Sequence, residues 1–354
     1  MPDAATPDQT VEPRALIEGM PKAELHLHLD GSVRIETALE LAATRRIEAP
    51  RTLAGMRGEL VAPERCTDQA ELLRAFDLPI ALMQDAEALE RIAAELVEAK
   101  AADRVRYVEI RWGPLLHTRR GLALEDGIAA VVRGAREAAA RTGTTVRLIC
   151  TALRSHDPDG NVRLAEVAAR FRDDGLTGWD LAGPEAAFPD PQLHARAFEA
   201  ARAGGLRITL HAGEWGGAAQ VRRALAMDPE RIAHGPGAVD DPELMAELIA
   251  RNVTLDLCPT SNVQAGIVPS LEAHPIARLH RAGVPVTLST DDTIVSDISL
   301  SDEYVRAVAR IGLTLPELWA IDRYALEVAF ADEATLAPLR AEFETWAAAR
   351  SALG

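Results

Sequence analysis

The chain has 354 residues, 48% of them hydrophobic and 26% charged, with a formal net charge of −16. That length can bury a substantial core as one large α/β domain or two ordinary ones. The acidic balance opposes nucleic acid and an anionic membrane as partners, since both reward basic surfaces.

The opening stretch MPDAATPDQTVEPRAL (1–16) is acidic and proline-containing, without the basic start and apolar core of a secretory signal. Residues 1–20 are expected to be a flexible extension and residues 21–354 a single domain. No apolar run reaches the roughly 18 residues of a membrane span. The three cysteines, Cys66, Cys150 and Cys258, are odd in number and far apart, which suits reduced thiols rather than a disulfide framework or a CxxC knuckle. A cytoplasmic location is expected.

The first β-rich run, ELHLHL (24–29), carries His26 and His28 one residue apart. Side chains alternate across a strand, so the two face the same way. Residues 30–104 then hold three helical patterns, 35–46, 69–83 and 85–102. They read as an inserted helical hairpin at the mouth of the fold, where long excursions build walls or lids. Leu72, Leu73 and Phe76 are candidates for such a wall, with ordinary helix core as the other reading.

Seven more short β-rich runs follow: 105–112, 146–153, 178–183, 207–213, 231–235, 253–259 and 284–290. Helical stretches such as 124–141, 161–172 and 241–252 lie between them. Eight strands alternating with helices predict a closed (β/α)8 TIM-type barrel, with an open doubly wound sheet as the alternative. The stretch 313–330 adds C-terminal helices after the eighth strand.

Polar residues cluster at the predicted C-terminal strand ends, the face where barrel enzymes carry their chemistry. His26 and His28 end the first strand, His211 and Glu214 follow the fifth in HAGE, His234 ends the sixth, and Asp291 and Asp292 follow the eighth in STDD. His26, His28, His211 and Asp291 offer three nitrogens and one carboxylate, a shell suited to zinc with room for a water that ionises near neutral pH. That leaves His234 to hold the hydroxide, Glu214 to act as general acid and base, and Asp292 to contact substrate. The other histidines, His117, His156, His194, His274 and His280, read as surface or packing residues. The only lysines are Lys22 and Lys100, so the fourth strand, GWDLAG, offers no lysine that could bridge two metals. One metal per chain is expected.

Taken together, PKAELHLHLDGS (21–32), LHTRRGL (116–122), DLAGPE (180–185), HAGE (211–214), AHG (233–235), CPTSN (258–262) and STDD (289–292) resemble the adenosine deaminase family of the amidohydrolase superfamily. The resemblance implies one Zn2+ on His26, His28, His211 and Asp291, and attack of metal-bound hydroxide on purine C6. Glu214 would protonate N1 and His234 would stabilise the nucleophile. It further implies that the Gly183 N–H meets N3, that Asp292 meets N7, and that Asp30 and His28 lie near the ribose 5′-hydroxyl. N7 is an acceptor, so Asp292 must be protonated to donate, which burial beside an ionised Asp291 encourages.

The implied reaction is hydrolytic deamination of adenosine, and of 2′-deoxyadenosine, to the inosine product and ammonia in purine salvage. The partner is a small-molecule purine nucleoside, and nothing in the sequence specifies an oligomeric state. Another 6-aminopurine, adenine or aminodeoxyfutalosine, is the nearest alternative. Asp30 bears on that choice, because a short carboxylate suits a ribose hydroxyl whereas adenine-specific relatives are associated with glutamate there. Gly237 and Thr293 depart from the family pattern near the mouth, where relatives usually carry a bulkier or basic residue and a proline. Two readings of a different class are a barrel that binds nucleoside without turnover, which a proton donor at Glu214 opposes, and a barrel with a closed structural metal shell.

Overall fold

The computed structural model describes residues 12–353. Part of the expected flexible extension, residues 1–11, lies outside them. Ordered packing begins ahead of residue 21, because Pro13–Gly19 forms a helix with Leu16 and Ile17 buried, and Arg14 reaches Asp302 at 3.4 Å.

Eight strands, β1 (Lys22–His28), β2 (Val105–Trp112), β3 (Thr145–Leu153), β4 (Leu176–Ala182), β5 (Arg207–Ala212), β6 (Arg231–His234), β7 (Thr254–Leu257) and β8 (Val286–Leu288), pair in sequence order. Every pairing is parallel. The later strands are buried on both faces, as a sheet wrapped by helices requires. Just beyond β8 the seam to β1 closes through the backbone. His28 N donates to Asp291 O at 2.7 Å, Asp291 N donates to His26 O at 3.1 Å, and Leu27 bridges Asp291 in parallel. The fold is a (β/α)8 barrel, and its closure occurs at three of the expected site residues.

The segment between β1 and β2 is richer than a hairpin, with helices at Ile35–Arg45, Leu53–Leu60, Gln69–Leu73, Asp77–Leu82 and Ala86–Ala102. The single helix expected over 69–83 is interrupted by a 3-10 turn at Arg74–Phe76. Pro79 gives the physical reason: it has no N–H, and its ring would collide with the carbonyl of Ala75 in a continuous helix. Helix Leu53–Leu60 had no sequence signal because Gly55 and Gly58 dilute its propensity. It starts where the Thr52 side chain accepts from Gly55 N.

This insertion packs as a small apolar cluster of its own. Ala62, Cys66, Leu72 and Ala75 meet Ala265 and Val295, with Phe76, Trp215 and Ile267 against them. The cluster therefore ties the insertion to the loops after β5, β7 and β8. At the other end of the barrel, helix Leu315–Val328 opens with a capping box between Thr314 and Glu317. Its Asp322 accepts from Ala23 N at 2.9 Å, and Trp319 stacks on Phe343 of the terminal helix Glu333–Ala348.

Candidate active site

His26 and His28 leave β1 on one face, and the closing seam brings the Asp291 carboxylate across them. Asp291 Oδ1 lies 3.0 Å from His26 Nε2 and 3.3 Å from His28 Nε2. His211, at the end of β5, places Nε2 3.2 Å from His28 Nε2. His234, at the end of β6, sets its Nε2 3.7 Å from Asp291 Oδ2 and 3.9 Å from Glu214 Oε1. One donor atom each from His26, His211, His234 and Asp291 all fall within 4.8 Å of one another.

Two features of this cluster call for a cation. His26 is fully buried, with no hydrogen-bond partner at Nδ1 and, at Nε2, only the Asp291 carboxylate at 3.0 Å, outside hydrogen-bond geometry. His28 Nε2 faces His211 Nε2 at 3.2 Å, where His211, with Nδ1 committed to Asp180, presents a lone pair, and burial opposes protonation of His28, holding it down to about 3. Neutral imidazole nitrogens within 3.0 to 3.3 Å of the Asp291 carboxylate form a donor set for a divalent metal.

The donors are oriented from behind. His211 Nδ1 meets Asp180 Oδ1 at 3.1 Å, which leaves Nε2 for the cluster, the usual carboxylate–histidine support of a metal ligand. Asp180 Oδ2 accepts from Thr151 at 3.1 Å and faces Arg111 at 3.4 Å. Burial alone would raise the Asp180 carboxyl, but His211 and Arg111 outweigh it and keep the group ionised. Arg111 also donates to Leu25 O at 2.9 Å, and Asp256 and Arg231 continue the ion pairs down the barrel interior. Ser261 Oγ donates to Asp291 Oδ2 at 2.7 Å.

Glu214 stands beyond a turn at Gly213, whose φ of 75° lies in the left-handed region that glycine favours. The buried Glu185 anchors this loop by accepting from the backbone N–H groups of Gly213, Trp215 and Gly216, each at 2.8 Å. Burial, reinforced by Asp291, pushes the Glu214 carboxyl up to about 8, so it holds a proton at neutral pH.

Above the cluster is a 240 Å³ cavity. Its wall includes His28, Asp30, Gly183, His211, Glu214, His234, Asp291 and Asp292, with His26 buried beneath. Every residue given a metal, catalytic or substrate role from the sequence thus gathers at one place, whereas Gly237 and Thr293 are not among the residues of this wall. Leu72, Leu73, Phe76 and Ile80 of the insertion form an apolar side, so the wall reading of the first three holds alongside the core role of Leu72 and Phe76. Burial, then Asp291 and Asp30, raise the Asp292 carboxyl well above its normal range, and its Oδ1 is buried without a partner. Asp30 is raised by burial to about 6, and its Oδ1 is likewise unpartnered.

Four supporting residues were not identified as such from the sequence: Asp180, Glu185, Asn262 and His274. The first three lie inside the motifs DLAGPE and CPTSN, of which only Gly183 was given a role. His274 was read as a surface or packing residue. It is buried, with Nε2 3.2 Å from Asn262 Oδ1, while Asn262 Nδ2 is 3.1 Å from His234 Nδ1.

A metal-type cluster at the C-terminal mouth of a parallel barrel, with a carboxyl raised by burial beside it, is an arrangement suited to metal-assisted hydrolysis. The adenosine deaminase family model matches residues 21–346. The adenosine deaminase of Vibrio vulnificus (strain CMCP6) is 38% identical over 317 residues, covering 89% of this chain and 96% of that protein. Among solved structures, a zinc-bound amidohydrolase from Burkholderia ambifaria has a TM-score of 0.86 at 30% identity, covering 96% of each chain. The adenine deaminase of Arthrobacter aurescens has a TM-score of 0.86 at 28% identity, covering 93% of this chain and all of that one. The chain belongs to the adenosine deaminase family, enzymes that hydrolyse C–N bonds.

Proposed function

We propose that the enzyme deaminates adenosine, and 2′-deoxyadenosine, to the inosine product and ammonia. His26, His28, His211 and Asp291 hold one Zn2+, which as a Lewis acid lowers the pKa of water toward neutrality and supplies the nucleophile. The buried His26, whose Nε2 meets Asp291 at 3.0 Å, and the facing nitrogens of His28 and His211 at 3.2 Å support that donor set.

Glu214 carries its proton at neutral pH and delivers it to purine N1 as C6 is attacked, which makes the ring carbon electrophilic. Glu214, now a carboxylate, takes the proton of the hydroxyl added at C6 and passes it to the amino group, which leaves as ammonia as the C6 carbonyl forms. His234 donates to the attacking oxygen and aims it. The protonated Asp292 donates to N7, and the Gly183 N–H faces N3. Asp30 and His28 meet the ribose. The observation that carries the reading is the placement of Glu214, whose carboxyl burial raises, 3.9 Å from His234 at the rim of the metal-type cluster.

The wall of the cavity also bears on the outer part of the substrate. It contains Asp30 and Asp77 and no lysine or arginine among the described residues. A phosphate would find two carboxyls and no cation, so an uncharged nucleoside is favoured over a nucleoside monophosphate. The three buried, unpaired cysteines suit a reducing cytoplasm, where we place this step of purine salvage.

The variant Glu214→Gln tests the assignment. It should keep its zinc and bind nucleoside while losing at least about 100-fold in kcat, because an amide cannot shuttle the proton. Near-normal turnover would refute the role of Glu214.

A further inference from the structure

His274, ahead of helix Ile276–Arg281, is bonded at both ring nitrogens. Nδ1 accepts the backbone N–H of Ile276 at 3.3 Å, and Nε2 lies 3.2 Å from Asn262 Oδ1. A backbone N–H can only donate, so Nδ1 holds a lone pair and the proton of the neutral ring sits on Nε2. Burial keeps this ring neutral, holding it down to about 3.

His274 Nε2–H therefore donates to Asn262, which requires the amide oxygen on that side. A flipped amide would set N–H against N–H. With the oxygen so fixed, Asn262 Nδ2 faces His234 Nδ1 at 3.1 Å and donates to it. His234 Nδ1 is then an acceptor, and its ring proton lies on Nε2, the nitrogen directed at Asp291 and Glu214. His274, Asn262 and His234 are 3%, 0% and 1% exposed, so bulk water does not replace any link.

We propose that Asn262 and His274 are positioning residues that lock His234 as an Nε2–H donor toward the reacting atoms. The role of His234 as a donor rests on the proposed function above. The chain is a template rather than a proton wire, since the Asn262 amide does not titrate. It also separates His234 from the metal donors. His234 Nε2 stands within the tight group of four, yet a nitrogen that already carries a proton offers no lone pair to a cation. His211, with Nδ1 committed to Asp180, presents a free Nε2 instead. A donated hydrogen bond leaves the lone pairs of the attacking oxygen available for carbon.

The test is the two-bond proton–nitrogen correlation spectrum of isotope-labelled histidine rings in the zinc-loaded full chain, with His234 assigned by its loss in His234→Gln. Wild type should show His234 protonated on Nε2 and bare at Nδ1. In Asn262→Asp, both carboxylate oxygens accept, so a proton should appear on His234 Nδ1 while zinc content stays unchanged. Kcat should fall at least about 100-fold with little change in KM, since a mis-set histidine tautomer costs up to about 10⁴ in the serine-protease triad. His274→Leu should also lower kcat, and His274→Gln, which retains a side-chain N–H donor, should recover most of that loss. Wild-type His234 protonated on Nδ1 would overturn the proposal, as would an Asn262→Asp protein whose ring pattern or kcat is unchanged. A wrong substrate assignment would show instead as a different substrate ranking with the ring pattern intact.

Discussion

The Asp292 carboxyl lies directly over Gly31: a Cβ built on that glycine would stand 1.6 Å from Asp292 Oδ1. Gly31 O also accepts from Ile294 N and Val295 N at 3.1 and 3.2 Å. The turn after β1 is thus the template on which the loop after β8 is laid, and it leaves room for the Asp292 side chain only if residue 31 has none.

Gly31→Ala should therefore displace Asp292 while leaving His26, His28 and Asp291 in place. A misplacement on the order of 1 Å at a substrate-contacting group costs about 100-fold. We expect that loss in kcat/KM for adenosine with zinc content unchanged, measured by steady-state kinetics and metal analysis. Wild-type kinetics would show that Asp292 has no part in binding the purine.

Asp180→Asn removes the carboxylate that orients His211, whose Nδ1 it meets at 3.1 Å. Loss of such a support typically weakens metal affinity about 10- to 100-fold. Competition with a zinc chelator should show that shift, and undiminished affinity would separate Asp180 from the metal centre.

Glu185→Ala strands the three backbone N–H groups that Glu185 now satisfies. Of the three only the Gly213 N–H is buried, and a buried donor without a partner costs about 1–3 kcal/mol, so the denaturant midpoint should fall and kcat should fall with it as Glu214 loses its fixed loop. Glu185→Gln, keeping one acceptor, should be intermediate. Equal stability of Glu185→Ala and wild type would contradict the anchoring role.

Acid should destabilise the fold through His117. Burial depresses this histidine to about 3 in the folded chain, against an ordinary value of 6.5. The unfolded chain then binds the extra proton, so the contribution is fully present above pH 6.5 and is lost as pH falls toward 3. The slope is about 1.4 kcal/mol per pH unit for one such group. Unfolding free energies of wild type and His117→Gln, compared between those limits, should differ in slope by that amount. Parallel curves would contradict it.

The barrel was legible because its strands are short β-rich runs separated by helical periods, and because the metal-type donors sit at strand ends, where an i, i+2 spacing or a strand-to-loop transition marks them. The broken helix at 74–76 had a visible cause in Pro79, whereas helix Leu53–Leu60, with its two glycines, had none. The supporting residues escaped for a different reason. Asp180 acts through His211, Glu185 through the loop at 213–216, and His274 through Asn262. Each works across elements well separated in the chain, where no periodicity points from one to the other. A histidine in a loop looks the same in sequence whether it faces solvent or fixes the proton of another ring.

The substrate itself is the most direct test. Kcat/KM should be measured on the zinc-loaded protein for adenosine, adenine, aminodeoxyfutalosine and AMP under one set of conditions. We predict adenosine first, with AMP lowest because its phosphate would meet Asp30 and Asp77 with no cation in the cavity wall. Adenosine ranking tenfold or more below any of the other three would contradict the account.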